Sequence, residues 1–186
     1  MTGGGASTQV MDPADGAAVP RTVVEDAAAG DREAFTELVA TYHRDMLRLA
    51  MVVTGDAELA NDAAQAAWHH AWRKLRQLRE PGRIRPWLLS IAANEARQTL
   101  RRRARIVAMP AGWSDEGRPA TDPIDAIDLA RALATLKPDE RQLIGLRYVS
   151  GFSAPELAAA LHMSPEGVRT RLKRILDRLR MELGDG

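Results

Sequence analysis

Two stretches of this chain carry side chains whose types and spacing suit a polyanion. The first interleaves Arg79, Arg83, Trp87, Asn94, Arg97, Gln98 and Arg101, and ends in Arg102, Arg103 and Arg105. Guanidinium groups grip phosphate, amides read base edges, and an indole stacks on an unpaired base. Three consecutive arginines alone would be a solvated helix end favoured by the macrodipole. The whole loop-plus-helix block reads instead as a nucleic-acid surface equipped for single strands. The second stretch presents Glu166, Gly167, Arg169, Thr170, Arg171, Lys173 and Arg174 just after Ser164-Pro165. Ser as N-cap and Pro at the first helical position start a helix there. A capped, basic helix after a tight turn fits the DNA major groove and reads it with side chains near its N-terminus.

Catalytic chemistry finds no such support. The chain has no H-E-x-x-H, P-loop, G-x-S-x-G or G-x-G-x-x-G arrangement in a fitting context. Asp115-Glu116 lies among prolines and glycines, where nothing desolvates a carboxylate to tune its pKa. The absence of cysteine removes a thiol nucleophile, a disulfide framework and a Cys-based zinc site. His69 and His70 point about 100° apart on a helix and have no acidic or His partner one turn on. The expectation is a non-enzyme with no cofactor, no metal and no small-molecule substrate.

The elements that must position these residues are helical. Aromatics make up 4% of the chain while Ala and Leu abound, which favours helices over sheets. Residues 1–28 show no sustained apolar period and are expected to form a disordered tail. Asp31 caps a helix to about Val53 whose buried face is Phe35, Leu38, Val39, Tyr42, Met46, Leu49 and Val53. Thr54-Gly55-Asp56 ends it and caps the next, about Ala57 to Leu78, with Trp68 and Trp72 on one broad stripe. Arg79 to Arg83 contains Pro81-Gly82 and must be a loop; a third helix follows from Pro86 to about Arg105. Residues 106–122, with Pro110, Gly112, Gly117 and Pro119, read as a flexible linker. Asp122-Pro123 opens a further helix, and Pro138 to Val149 makes another with Tyr148 partly buried. Gly145 within it costs about 1 kcal/mol relative to Ala and suggests close packing.

Ser153-Ala-Pro-Glu156 is a capping box that opens a short helix to Leu161, and His162-Met163 turns the chain into the basic helix. That last helix would bury Val168, Leu172, Ile175, Leu176, Leu179 and Leu183. The fold class is therefore all-α, in two small helical domains (29–105 and 123–186), the second a helix-turn-helix. Charge divides the same way: net −7 over residues 1–72, +9 over 73–105, −4 over 106–140 and +3 over 141–186. Two basic blocks separated by an acidic one imply two contacts with a polyanion. No 18-residue apolar run and no basic-then-apolar N-terminus is present, so a soluble, cytoplasmic protein without membrane insertion is expected.

Together the two blocks resemble the extracytoplasmic-function (ECF) class of bacterial sigma factors, in the sigma-70 family. The likeness rests on Asp31 to Phe35, Thr54-Gly55-Asp56, Asp62-Ala-Ala-Gln65 to Ala71-Trp72, and Trp87-Leu88 with Ile91-Ala92 and Asn94. In the second block it rests on Leu136 to Arg141, Leu146 to Val149, Gly151 to Ser153, Glu156 to Ala158 and Val168 to Leu172 with Arg174. The resemblance implies a factor that binds core RNA polymerase and promoter DNA, and often an anti-sigma factor. It implies polymerase contacts at Asp62, Gln65, Trp68, His69 and Trp72. Capture of the melted −10 strand falls to Arg79, Arg83, Trp87, Asn94, Arg97, Gln98 and Arg101, and −35 reading to the helix from Ser164. It also implies a linker that occupies the RNA path. Ala66 stands where the family often has an acid, Ala63 and Ala64 where it has bulky aliphatics, and Gly167 where Thr or Ala is common. The competing reading, a helix-turn-helix regulator independent of polymerase, leaves the first basic block and the Trp68/Trp72 helix without a task.

Overall fold

The computed structural model describes residues 19–106 and 123–184. Eight α-helices build the described residues, and no strand occurs among them. The N-terminal unit holds α1 (Arg21–Ala29), α2 (Arg32–Thr54), α3 (Ala57–Lys74) and α4 (Ile84–Ile106). The C-terminal unit holds α5 (Pro123–Ala134), α6 (Pro138–Ile144), α7 (Ala154–Leu161) and α8 (Pro165–Gly184).

Local signals set most boundaries. The Asp31 carboxylate accepts from the Glu33 and Ala34 N–H groups at 2.7 and 3.0 Å, satisfying donors that a helix start leaves free. Gly55 closes α2 at φ 71°, a left-handed conformation costly for other residues. Asp56 then accepts from the Leu59 N–H at 2.9 Å and starts α3. α4 begins at Ile84, ahead of the expected Pro86; a proline in the first turn forfeits no intrahelical bond there.

α2, α3 and α4 pack as a three-helix core. Leu38, Met46, Leu49, Val53, Leu59, Leu88 and Leu89 are buried in it, with Ala60, Ala63, Ala64, Ala67, Ala92 and Ala96 where the helix backbones approach. Each fully buried Leu contributes about 1.5–3 kcal/mol relative to exposure.

Three expectations need correction. Residues 21–29 are a helix, not tail: α1 buries Val24 and Ala27 against α2, and the Val19 N–H meets the Tyr42 hydroxyl at 3.3 Å. Residues 1–18 and 107–122, which take in all of the expected 106–122 linker but Ile106 at the end of α4 and include the Asp122 cap, lie outside the described residues. Tyr148 is 57% exposed rather than partly buried, because the helix widens after α6 into a π turn, Gly145–Val149, that rotates it outward. Leu183 is also exposed, lying one turn beyond Leu179, the last buried residue of α8.

The two units touch. One buried apolar cluster runs from α1 to α8, and α6 lies on α2 and α4. Gly145 permits this: a Cβ there would lie 2.7 Å from Leu49 Cδ1 and 3.3 Å from Val52 Cγ1. The close packing suggested by a glycine inside a helix is thus present, and its partner is the other unit.

Candidate nucleic-acid interface

The start of the second helix of the helix-turn-helix is set by caps on the first helix and on the turn. The Ser153 N–H donates to Glu156 at 2.8 Å and the Ser153 hydroxyl donates to the same carboxylate at 2.6 Å, completing the capping box of α7. These bonds from Ser153 hold the Glu156 carboxyl below its ordinary pKa. His162 ends α7 in the left-handed region at φ 54°. Ser164 Oγ then accepts the Gly167 N–H at 3.0 Å and opens α8. A Cβ on residue 167 would lie 3.0 Å from that oxygen, so Gly167 leaves the cap room.

Val168, Leu172, Ile175 and Leu179 are buried and fix the roll of α8. That roll leaves Ser164, Glu166, Arg169, Thr170, Lys173 and Arg174 exposed, the last five at helical spacing on one face. Glu166 pairs with Arg169 at 2.8 Å. Arg171, expected among the readers, flanks the buried stripe and is half-buried. Its charge faces Glu140 of α6, as does that of Arg178, which bonds the same carboxylate at 2.6 Å. Burial alone would raise the Glu140 carboxyl; the Arg178 and Lys137 N–H bonds outweigh it and hold the pKa below the ordinary value.

The first basic block is arranged otherwise. Arg79 and Gln98 are exposed, and Arg83 is exposed with Glu80 at 3.0 Å. Trp87 is half-buried against the core below α4. Asn94 and Arg97 are half-buried too, and they face the C-terminal unit rather than solvent. Asn94 Oδ1 accepts from Gln142 Nε2 at 2.9 Å. Asp139 lies 3.3 Å from Arg97 and 3.7 Å from Arg101. Beside these contacts a cleft of about 310 Å³ opens between α4 and the end of α7, lined by His70, Asn94, Glu95, Gln98 and His162 among others. His70 Nδ1 and the buried Glu95 Oε1 stand 3.2 Å apart at its wall.

On α3, Asp62, Gln65 and His69 are exposed and Trp72 is 40% exposed. Trp68 is 9% exposed and cannot present its ring to a partner as expected. Its Nε1 donates to His43 at 3.2 Å, and Phe35 packs edge-on against both indoles, with centroids 5.6 Å from Trp68 and 4.7 Å from Trp72. Trp68 therefore supports the surface that Trp72 offers.

Residues that sequence reasoning passed over complete the contact between units. Arg85 donates to Asp45 at 2.9 and 3.1 Å and to the Ser150 carbonyl at 3.1 Å. Arg141 is buried near the Thr54 carbonyl, and burial pushes its guanidinium below its ordinary pKa. No local pattern marks Asp45, Arg85 or Gln142, and Asp139 and Arg141, though inside the stretch that carries the family likeness, gave no sign of their partners, since each acts through a residue 40 or more positions away.

Comparison with known proteins bears on both units. The family model for sigma-70 region 2 matches residues 38–106, and that for sigma-70 region 4 matches residues 126–179. RNA polymerase sigma factor CarQ of Myxococcus xanthus is 34% identical over 163 residues, which cover 84% of this chain and 92% of CarQ. Probable RNA polymerase sigma factor RfaY of Xanthomonas campestris pv. campestris is 30% identical over 168 residues, covering 84% of this chain but 42% of RfaY. The chain thus spans less than half the length of that relative. Among solved structures, the sigma factor RpoE of Bartonella quintana, crystallised with the anti-sigma factor NepR, superposes with TM-score 0.70 and 26% identity. That likeness covers 81% of this chain and 96% of RpoE. CnrH, solved with the cytosolic domain of CnrY, gives TM-score 0.67 and 27% identity over 89% of this chain and 97% of CnrH.

Proposed function

The chain belongs to the sigma-70 family and is a promoter-recognising RNA polymerase sigma factor, and from that premise we propose how its residues divide the work. α8 reads the −35 element in the major groove with Glu166, Arg169, Thr170, Lys173 and Arg174; Ser164 and Gly167 set the start of that helix. Arg171 works from its edge, steering Glu140 and reaching backbone phosphate. The loop before α4 and α4 itself take the separated −10 strand: Arg79, Arg83, Arg97 and Arg101 hold phosphates, Asn94 and Gln98 meet base edges, and Trp87 stacks. Asp62, Gln65, His69 and Trp72 on α3 meet core RNA polymerase, with Trp68 and Phe35 bracing Trp72.

The observation that carries this reading is the pairing of two differently built basic faces on one chain. One is an exposed face on a capped helix, suited to a duplex groove. The other is an amide, arginine and indole set on a longer helix, suited to an opened strand. The polymerase-independent regulator is not favoured, because it uses only the first face.

An anti-sigma factor is proposed as a further partner, since RpoE was crystallised with one. A cytoplasmic location is proposed with it; no described helix is long and apolar enough to cross a membrane. The role needs no chemistry from the factor itself, because bond formation belongs to the polymerase.

Run-off transcription tests the proposal. Purified protein with sigma-free core polymerase should start transcripts at defined points on DNA from upstream of its own operon. Transcripts no different from those of core polymerase alone, on a broad template set, would contradict it.

A further inference from the structure

We propose that α1 is a brace for the loop that captures the −10 strand, and that Arg76 is the positioning residue that fastens it. Neither has a task in the division of work proposed for α3, α4 and α8. The inference rests on the assignment of Arg79 and Arg83 to that strand.

α1 is nine residues long, too short to hold its shape alone, and it persists by lying against its neighbours. Its end is a Schellman turn. Gly30, at φ 109°, donates its N–H to the Ala27 carbonyl at 3.1 Å, and the Asp31 N–H donates to that of Asp26 at 3.0 Å. The Ala28 carbonyl is met from elsewhere: Arg76 Nε, 48 residues along the chain, donates to it at 3.2 Å. The last turn of α1 has no basic residue of its own, so this guanidinium is the cation that complements the negative end of the helix. A Cβ on residue 30 would lie 3.8 Å from Arg76 Nη2, so the guanidinium runs alongside the glycine as well.

Arg76 stands at the root of the loop that carries Arg79 and Arg83. From α3 to α4 the chain makes two 3₁₀ turns, Leu75–Gln77 and Pro81–Arg83, between the buried side chains of Leu75 and Ile84. Between these anchors Arg76, Gln77, Arg79, Glu80, Gly82 and Arg83 are all exposed. Each turn closes only on itself, through the Leu78 N–H to the Leu75 carbonyl at 3.0 Å and the Arg83 N–H to the Glu80 carbonyl at 2.9 Å. Among the described residues, the Arg76 bond is the one side-chain hydrogen bond that ties either turn to another element. α1 touches both turns, so what Arg76 fastens is the support of the whole loop. A loop already ordered when the strand arrives loses less freedom on binding it. α1 itself turns Glu25 and Asp26 to solvent, and these charges repel phosphate, so it acts through the loop rather than on the strand.

Arg76 is an exposed cation, so a direct grip on phosphate is the rival explanation, and Arg76→Gln separates the two. Arginine Nε and glutamine Nε2 are both bonded to Cδ. The substitution therefore keeps an N–H donor where Ala28 is met and removes the charge.

The readout is the affinity of the factor, assembled with core polymerase, for promoter DNA whose −10 non-template strand is unpaired and carries fluorescein, followed by anisotropy. Arg76→Ala should weaken binding about three- to tenfold, and Arg76→Gln should recover most of the loss. Equal loss in both variants overturns the inference and assigns Arg76 to phosphate. With Arg79→Ala and Arg83→Ala already in place, Arg76→Ala should add nothing, since no side chain is left to position. A further loss as large as in the unaltered chain overturns the inference also. Affinity for core polymerase should be the same in every variant; a parallel fall in Arg76→Ala would make Arg76 a general support of the fold and overturn its positioning role. If Arg79→Ala with Arg83→Ala leaves DNA affinity unchanged, the strand assignment fails and the inference falls with it. If that pair weakens binding while Arg76→Ala does not, the assignment stands and the brace alone is overturned.

Discussion

The two basic faces of this protein are held in opposite ways. On α8 the side chains proposed to read DNA project from a helix whose opposite stripe is buried, and all but Arg171 are exposed. On α4, Trp87, Asn94 and Arg97 are half-buried while Gln98 and Arg101 are exposed, and Asn94 and Arg97 are already bonded to α6. The difference follows from the substrates proposed for them. Duplex DNA offers its groove edges without rearrangement, so a reader can stand ready. A single strand exists only after melting, so its binding surface has no work until polymerase is present. The comparison teaches that positive charge alone does not mark a ready surface. The more basic block is the one that is partly covered, at Asn94 and Arg97.

The severest way to break the comparison is to remove what both units lean on. Leu49 is fully buried in α2 and lies under Gly145. Leu49→Ala should cost about 2–5 kcal/mol in chemical denaturation and lower the cooperativity between units. A cost under about 1 kcal/mol would mean that α2 does not carry the docked α6.

Next in size are changes at the strand surface. Trp87→Ala should slow promoter opening by up to about a hundredfold, since stacking on a base is worth about 1–3 kcal/mol, and Trp87→Tyr should recover much of it. Loss of initiation by both variants on a pre-melted template would assign Trp87 to core packing instead.

On α8 the structure sharpens an expectation. Arg174→Ala should weaken binding by about 1–3 kcal/mol in a manner that depends on the −35 sequence. Arg171→Ala should weaken all promoters alike, because Arg171 sits at the edge of the buried stripe facing Glu140. Reversed behaviour of the pair, measured by quantitative footprinting on several −35 sequences, would mean that the roll of α8 is wrong.

The smallest effect concerns the cap. Ser153→Ala should lower stability by about 1 kcal/mol at pH 7, measured by thermal unfolding. The Glu156 carboxyl is held below its ordinary value by Ser153. Its contribution is present above the unfolded carboxylate value, about 4.3, and is lost as pH falls through the lower folded value. The stability difference between Ser153→Ala and the unaltered chain should therefore shrink on acidification below about pH 4.

Legibility in the sequence tracked how local each cause was. The starts of α2, α3, α7 and α8 were readable because Asp31, Asp56, Ser153 and Ser164 each satisfy a backbone donor two or three residues on. α1 was not, because its nine residues are too few for a sustained period and it is held by burying Val24 and Ala27 on α2. Trp68 and Trp72 look alike at four-residue spacing, and only the packing of Phe35 and the bond to His43 decide which of them reaches solvent. The exposed face of α8 could be found by helical period, apart from Arg171, which lies beside the buried stripe. The covering of Asn94 and Arg97 was hidden altogether. It depends on pairs such as Asn94 with Gln142 and Arg97 with Asp139, separated by 48 and 42 residues.

The division of labour between the two faces is tested most directly by a crossed run-off experiment. Asn94→Ala and Arg174→Ala are each assayed with core polymerase on a fully duplex promoter and on the same promoter pre-melted across the −10 element. The account predicts that pre-melting restores the Asn94→Ala factor and leaves the Arg174→Ala defect in place. Restoration of both variants, or of Arg174→Ala alone, would contradict it.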